Sequence, residues 1–194
     1  MYMPKQAHTI TAFTNMLDVI ESKNIDLYTA KAGTSILSNG PIDIDILAPF
    51  ADSYSNLNNC SAVVKITYGK TVMLFTGDSE QVIENQLLNS GIDADVLKVG
   101  HHGASSSSSS SFIKAVSPKV AVISVGSNNR YGHPHADTLA ILNQVGADIY
   151  RTDEQGTIVV TADQNKKITV DKKASTVKEN APPVVVQPPS EQVQ

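Results

Sequence analysis

The chain of 194 residues has no tryptophan, and phenylalanine and tyrosine bring its aromatic content to only 5%. A core built without large rings must rest on Val, Ile, Leu and Ala, a composition that favours strands and strand–helix packing. A single cysteine, Cys60, excludes an internal disulfide and a cysteine-based zinc cluster. It reads as a small buried residue, with a reactive thiol as the alternative. No apolar run is long enough to span a bilayer, and the start, Met1-Tyr2-Met3-Pro4-Lys5, lacks the apolar centre of a signal peptide. Taken as it stands, such a chain is expected in the cytoplasm; a piece of a longer exported protein would lie outside it. Positive charge is also scarce. The formal net charge of −4 leaves no broad basic surface for nucleic acid. Bound cations would change the local field, so a nucleic-acid substrate is not excluded.

What is present is a layered α/β pattern within the size of one domain. Ile10, Phe13, Leu17 and Ile20 recur at helical spacing and predict an amphipathic helix over Thr9–Ser22, followed by a strand over Ile25–Ala30. After the turn signal Ser38-Asn39-Gly40, Ile42, Ile44 and Ile46 alternate with Asp43, Asp45 and Leu47. The two aspartates resemble a paired-carboxylate site but read as the solvated face of that strand. Ser61–Tyr68 and Thr71–Thr76 form a hairpin around Gly69-Lys70. Helices are expected at Ser79–Asn89, Phe112–Val116 and Ala136–Val145, and strands at Val96–Val99, Val120–Val125 and from Ile149. Thr157–Thr161 and Ile168–Val170 make a last hairpin. Residues 1–171 form the domain; 172–194, rich in Pro, Gln and charge with Pro182-Pro183 and Pro188-Pro189, read as an extended linker or tail. Seven serines, Ser105–Ser111, read as a mobile polar loop, with a lid over a site as the alternative.

Four of the five histidines lie in two clusters, Gly100-His101-His102-Gly103 and Tyr131-Gly132-His133-Pro134-His135. Each cluster follows an apolar strand, and sites in α/β sheets collect at the carboxyl ends of strands. Asp78, in Phe75-Thr76-Gly77-Asp78, has the same placement; its alternative role is to cap the next helix. Imidazoles and a carboxylate together suit zinc, manganese or iron.

Leu74-Phe75-Thr76-Gly77-Asp78, then Ala94-Asp95-Val96-Leu97-Lys98-Val99-Gly100-His101-His102-Gly103, then Gly132-His133-Pro134-His135, resemble the ordered signature of metallo-β-lactamase-fold hydrolases. Asn58-Asn59-Cys60-Ser61-Ala62-Val63-Val64 and Tyr150–Thr157 are similar to the branch related to the soluble domain of the DNA-uptake competence protein ComEC. The resemblance implies an αββα sandwich with a two-metal site, usually zinc, at the sheet edge. Asp78 would be the bridging carboxylate and would act in catalysis. His102 would be a metal ligand, and His101 would contact substrate or metal as a catalytic residue. His133 would be a ligand or substrate contact, and His135 a further substrate contact. The substrate would be a phosphodiester or related ester, nucleic acid included. A mononuclear site of Asp78, His102 and His133 is a variant of this reading.

The departures are specific. The family's His-x-His-x-Asp-His motif is missing from this sequence, whose earliest histidine is His8, and Ala104 stands where the family often has serine. The resemblance therefore covers the C-terminal half of an N-terminally truncated domain, one sheet of the sandwich short. Impaired hydrolysis is expected, or a non-catalytic binding or scaffold module working with a missing N-terminal half or a downstream domain. Val, Ile and Leu on the sheet would then lack a partner layer.

Overall fold

A computed structural model describes residues 1–176; most of the expected linker, 177–194, lies outside the described residues. The chain opens with β1 (Tyr2–Met3), α1 (Thr11–Ser22) and β2 (Tyr28–Thr29). Four antiparallel strands follow: β3 (Thr34–Asn39), β4 (Ile42–Ala48), β5 (Val63–Tyr68) and β6 (Thr71–Phe75). From there strands and helices alternate through α2 (Gln81–Leu87), β7 (Val96–Lys98), α3 (Ser110–Val116), β8 (Val120–Ile123), α4 (Ala136–Gln144) and β9 (Asp148–Arg151). A short α5 (Thr152–Gln155) and the hairpin β10 (Val160–Ala162) and β11 (Ile168–Val170) complete it.

Seven strands form one mixed sheet in the order β3-β4-β5-β6-β7-β8-β9, so chain order is also spatial order. The switch from antiparallel to parallel pairing falls at β6–β7, where hairpin turns give way to helical crossovers. Leu74, Leu97, Ala121, Ile123 and Ile149 point to one face and pack under Ile83, Leu87, Phe112, Ile113 and Leu142 of the helices. On the opposite face Val96, Val120 and Tyr150 are covered by Ile158, Val160, Ile168 and Val170 around the last hairpin. Among the described residues no second large sheet covers that face. The architecture is α/β with one seven-stranded sheet, and on the face away from the helices Leu37 and Phe75 stand 41% and 39% exposed.

Several local expectations change in the structure. The strand over Ile25–Ala30 shrinks to Tyr28–Thr29, paired only with β1, because no sheet edge lies beside it. Helix α1 forms with Ile20 of its periodic face buried and Phe13 and Leu17 half-buried, while Ile10, just before the helix, and Val19, off that face, remain 54% exposed. Thr34–Asn39, not expected as a strand, becomes one by pairing with β4 across Gly40-Pro41. Cys60 is buried, as its small apolar side chain suggests. No helix among the described residues is long and apolar enough to cross a membrane.

Asp95 ties the parallel half together just before β7. Its carboxylate accepts from the Val72 N–H at 3.1 Å, and Lys166 and Lys119 stand 3.1 and 3.2 Å from it. Burial opposes its ionisation, but the Val72 hydrogen bond and the two ammonium groups outweigh this and hold the carboxyl below its ordinary value. A group depressed on folding adds stability above its unfolded pKa and loses it as pH falls through the folded one. Asp95→Asn is therefore expected to unfold at lower urea than the parent at neutral pH. The difference should close as pH drops below about 4, where unfolded aspartate titrates; urea midpoints across pH measure it.

Candidate metal and active site

Three neighbouring parallel strands deliver the candidate residues to one edge. Asp78 follows the end of β6, His101 and His102 follow β7, and His133 and His135 lie in the loop after β8. Asp78 is not a helix cap: α2 is capped by Glu80, two residues on, with no side-chain cap bond. Instead the Asp78 N–H donates to Ser61 Oγ at 3.0 Å, leaving its carboxylate 41% exposed at the edge.

His101 and His102 both sit in the left-handed region, at φ 44° and 57°, inside a tight turn over Gly100–Gly103. For residues with a Cβ this costs on the order of 1–3 kcal/mol each, and the surroundings must enforce it. They do so through the His101 N–H, which donates to Gly77 O at 3.0 Å, and through Gly103, packed against Pro134. The turn sets the two imidazole centroids 6.2 Å apart, with His133 5.6 Å from His101 and 6.4 Å from His102.

The His102 ring has a defined tautomer. Its Nδ1 lies 2.6 Å from Ser124 O, and a carbonyl only accepts, so Nδ1 carries the proton. With Nδ1 so engaged, Nε2 faces Asp78 Oδ1, 3.6 Å away, and in the neutral ring it presents a lone pair there. Two acceptors facing each other at that distance are mutually unfavourable unless a cation or proton lies between them. Zinc bonds of about 2.0–2.1 Å to each would span such a gap, and a histidine oriented through its other nitrogen is the usual form of a metal ligand. The donor set fits a metal to that extent. Among the described residues, however, no three His, Cys, Asp or Glu side chains converge closely enough to hold one, so the expected trio of Asp78, His102 and His133 is not brought together.

His133 is held below the ordinary imidazole value, first by burial, then by His135, His101 and His102 beside it, with Asp78 acting the other way. The shift favours its neutral form, the one that can ligate. His135 has neither nitrogen free. Nδ1 accepts from the Ser105 N–H at 2.9 Å, which leaves Nε2–H to Tyr131 O at 3.2 Å. His135 thereby ties the serine run to the second histidine loop.

Two carboxylates that the sequence reading did not single out organise the rest. Glu80 accepts from Asn56 at 2.8 Å, Asn58 at 3.1 Å and Ser106 at 3.0 Å, and lies 3.3 Å from His101 Nδ1. Only its spacing of two from Asp78 could have flagged it. Glu84, 2% exposed, accepts from the Ser108 N–H, and from the Ser109 N–H at 2.9 Å. Burial raises its pKa, and the Ser109 and Ser108 hydrogen bonds oppose that. The serine run is correspondingly not a free polar loop: Ser107 and Ser108 are buried, and Ser109 caps α3. Lys98, on the strand leading into the histidine turn, is also partly buried; burial lowers its pKa, and Asp78 opposes the shift.

Residues 55–127 match the metallo-beta-lactamase superfamily. ComE operon protein 3 of Bacillus subtilis is 37% identical over 145 residues, which are 74% of this chain and 19% of that protein. Competence protein ComA of Neisseria gonorrhoeae is 36% identical over 123 residues, 60% of this chain and 17% of that one. Recombination protein 2 of Haemophilus influenzae is 33% identical over 109 residues, 56% of this chain and 14% of that one. The chain thus spans about a fifth or less of these relatives' length. A solved structure of a protein described as a metal-dependent hydrolase, from Parabacteroides distasonis, superposes with a TM-score of 0.46 at 14% identity, over 69% of this chain and 60% of that one.

If Glu84 anchors the serine run, Glu84→Ala strands two backbone N–H groups in the interior. The expected loss is about 2–4 kcal/mol, one to two unsatisfied donors' worth. It should appear as a lower urea midpoint together with faster proteolysis within Ser105–Ser111.

Proposed function

This chain is a metallo-β-lactamase-fold protein of the ComEC-like branch, and on that premise we propose that it carries part of the active site of a metal-dependent hydrolase acting on phosphodiesters. The observation that supports this most is the facing pair of acceptors, Asp78 Oδ1 and His102 Nε2, 3.6 Å apart at the carboxyl edge of the sheet. In this reading Asp78 and His102 would hold a zinc or manganese ion, with His133 beside them as a substrate contact. When bound, the metal supplies positive charge that activates water and stabilises the charge developing on phosphorus-bound oxygens. His101, braced by Glu80, faces the substrate and serves as the group that contacts or protonates it. The names of the competence and recombination relatives favour nucleic acid as the substrate class.

A second reading has its own support. No three-ligand cluster exists among the described residues, and the sequence has no His-x-His-x-Asp-His. On this reading the chain is a non-catalytic module whose chemistry depends on residues elsewhere. Two measurements separate the two. The chain joined to a segment that carries His-x-His-x-Asp-His, supplied with zinc or manganese, is expected to hydrolyse bis(p-nitrophenyl) phosphate, and Asp78→Ala to reduce the rate at least about a hundredfold, the scale of losing one metal-borne charge interaction. Equal rates would remove Asp78 from the site. A folded chain that retains no metal after dialysis and shows no turnover would establish the second reading instead.

A further inference from the structure

The loop between β8 and α4 holds more than histidines. Tyr131 is, at 62%, the most exposed large apolar side chain among the described residues. Its ring continues a stack that begins at the candidate metal site. The His102 and His133 planes lie 22° apart at 6.4 Å, and the His133 and Tyr131 planes 23° apart at 5.7 Å. Three nearly parallel rings therefore step outward from Asp78's partner to the surface. Arg130 completes the series: its guanidinium carbon lies 5.1 Å from the Tyr131 centroid, and its Nη2 donates to the tyrosine hydroxyl at 2.9 Å.

The loop is fastened in this shape. The Asn129 amide donates to Gly126 O at 2.9 Å and to His133 O at 2.8 Å, and its Oδ1 accepts from the His133 N–H at 2.9 Å. Tyr131 is thus presented by a preorganised loop, so little ordering is lost when something binds it.

A phenol ring with a guanidinium over it, both exposed, matches a ligand with a flat π face and an anion close together. Unpaired nucleobases stack on both kinds of surface, and the guanidinium also pairs with phosphate. The chain's net charge of −4 supplies no long-range attraction, so any hold on a nucleic-acid strand must be local, as this pair is. We propose that Arg130 and Tyr131 form a nucleotide subsite for single-stranded nucleic acid, stacking one base beside the phosphodiester held at Asp78 and His102. This rests on the phosphodiester reading and adds two specificity-determining residues to it.

The test is binding, read without turnover. The full chain, labelled for NMR and kept in EDTA, is titrated with hexathymidylate, with hexauridylate, and with an abasic deoxyribose-phosphate hexamer. The Tyr131 and His133 ring signals should shift with both base-bearing strands and far less with the abasic one. Tyr131→Ala should weaken binding about tenfold or more, the scale of one lost base stack, with Tyr131→Phe within about twofold of the parent. Arg130→Ala should lower the salt slope by about 0.7, one phosphate contact on a single strand. Tighter binding of the deoxy strand names DNA as the source; the reverse names RNA. Unchanged affinity in Tyr131→Ala, equal binding of the abasic strand, or no binding at all would overturn the proposal. An inactive chain that binds through Tyr131 would instead retire the hydrolase reading and leave the subsite standing.

Discussion

A Cβ on Gly103 would come within 2.6 Å of Pro134, so the loop after β7 and the loop after β8 meet with no room for any larger residue. That contact is the constraint from which the site follows. It holds the end of the left-handed histidine turn against the second histidine loop, and the His135 N–H to Gly103 O bond at 2.9 Å fastens the same junction. Asp78 joins from the third side through Gly77, whose carbonyl accepts the His101 N–H. Three loops from three adjacent parallel strands are thereby locked to one another, and the imidazoles have few ways to point.

Around this junction, buried carboxylates do what a longer loop could not do for itself. Ser105–Ser111 has no side chain able to pack a core, yet Ser107 and Ser108 are interior. Glu84 makes that feasible by accepting two of the run's backbone N–H groups, which would otherwise be lost donors in a dry environment. Glu80 plays a comparable part closer to the chemistry, gathering Asn56, Asn58, Ser106 and His101 around one carboxylate. The segment Asn58–Ser61 is explained in the same way: Asn59 accepts the Glu80 N–H, and Ser61 accepts the Asp78 N–H.

The sheet is unevenly clothed. Its helix-covered face is a continuous core, whereas the other face is covered by the last hairpin from Met73 of β6 to Tyr150 of β9 and leaves Leu37 and Phe75 exposed. The hairpin is anchored by its turn: Thr71 Oγ donates to Asp163 O at 2.5 Å, and the Lys70 N–H donates to Gln164 O at 2.8 Å. The candidate site sits over the parallel strands, the part of the sheet clothed on both faces. Its geometry therefore rests on the best-packed part of the fold.

The period-two and helical patterns, the glycine turns and the two histidine clusters were enough to locate the Tyr68–Thr71 hairpin, the alternation from β6 to β9, and Asp78, His101, His102 and His133 at strand ends. These are local signals, carried by side-chain periodicity and by residues that punctuate the backbone. Glu80, Glu84, the burial of the serine run, the two engaged nitrogens of His135 and the outward stack through Tyr131 were not legible, because each depends on groups brought together from distant parts of the chain. The identity of a residue shows in the sequence; whether its nitrogen is free, its carboxylate buried or its ring stacked is decided by which loops the packed sheet brings into contact.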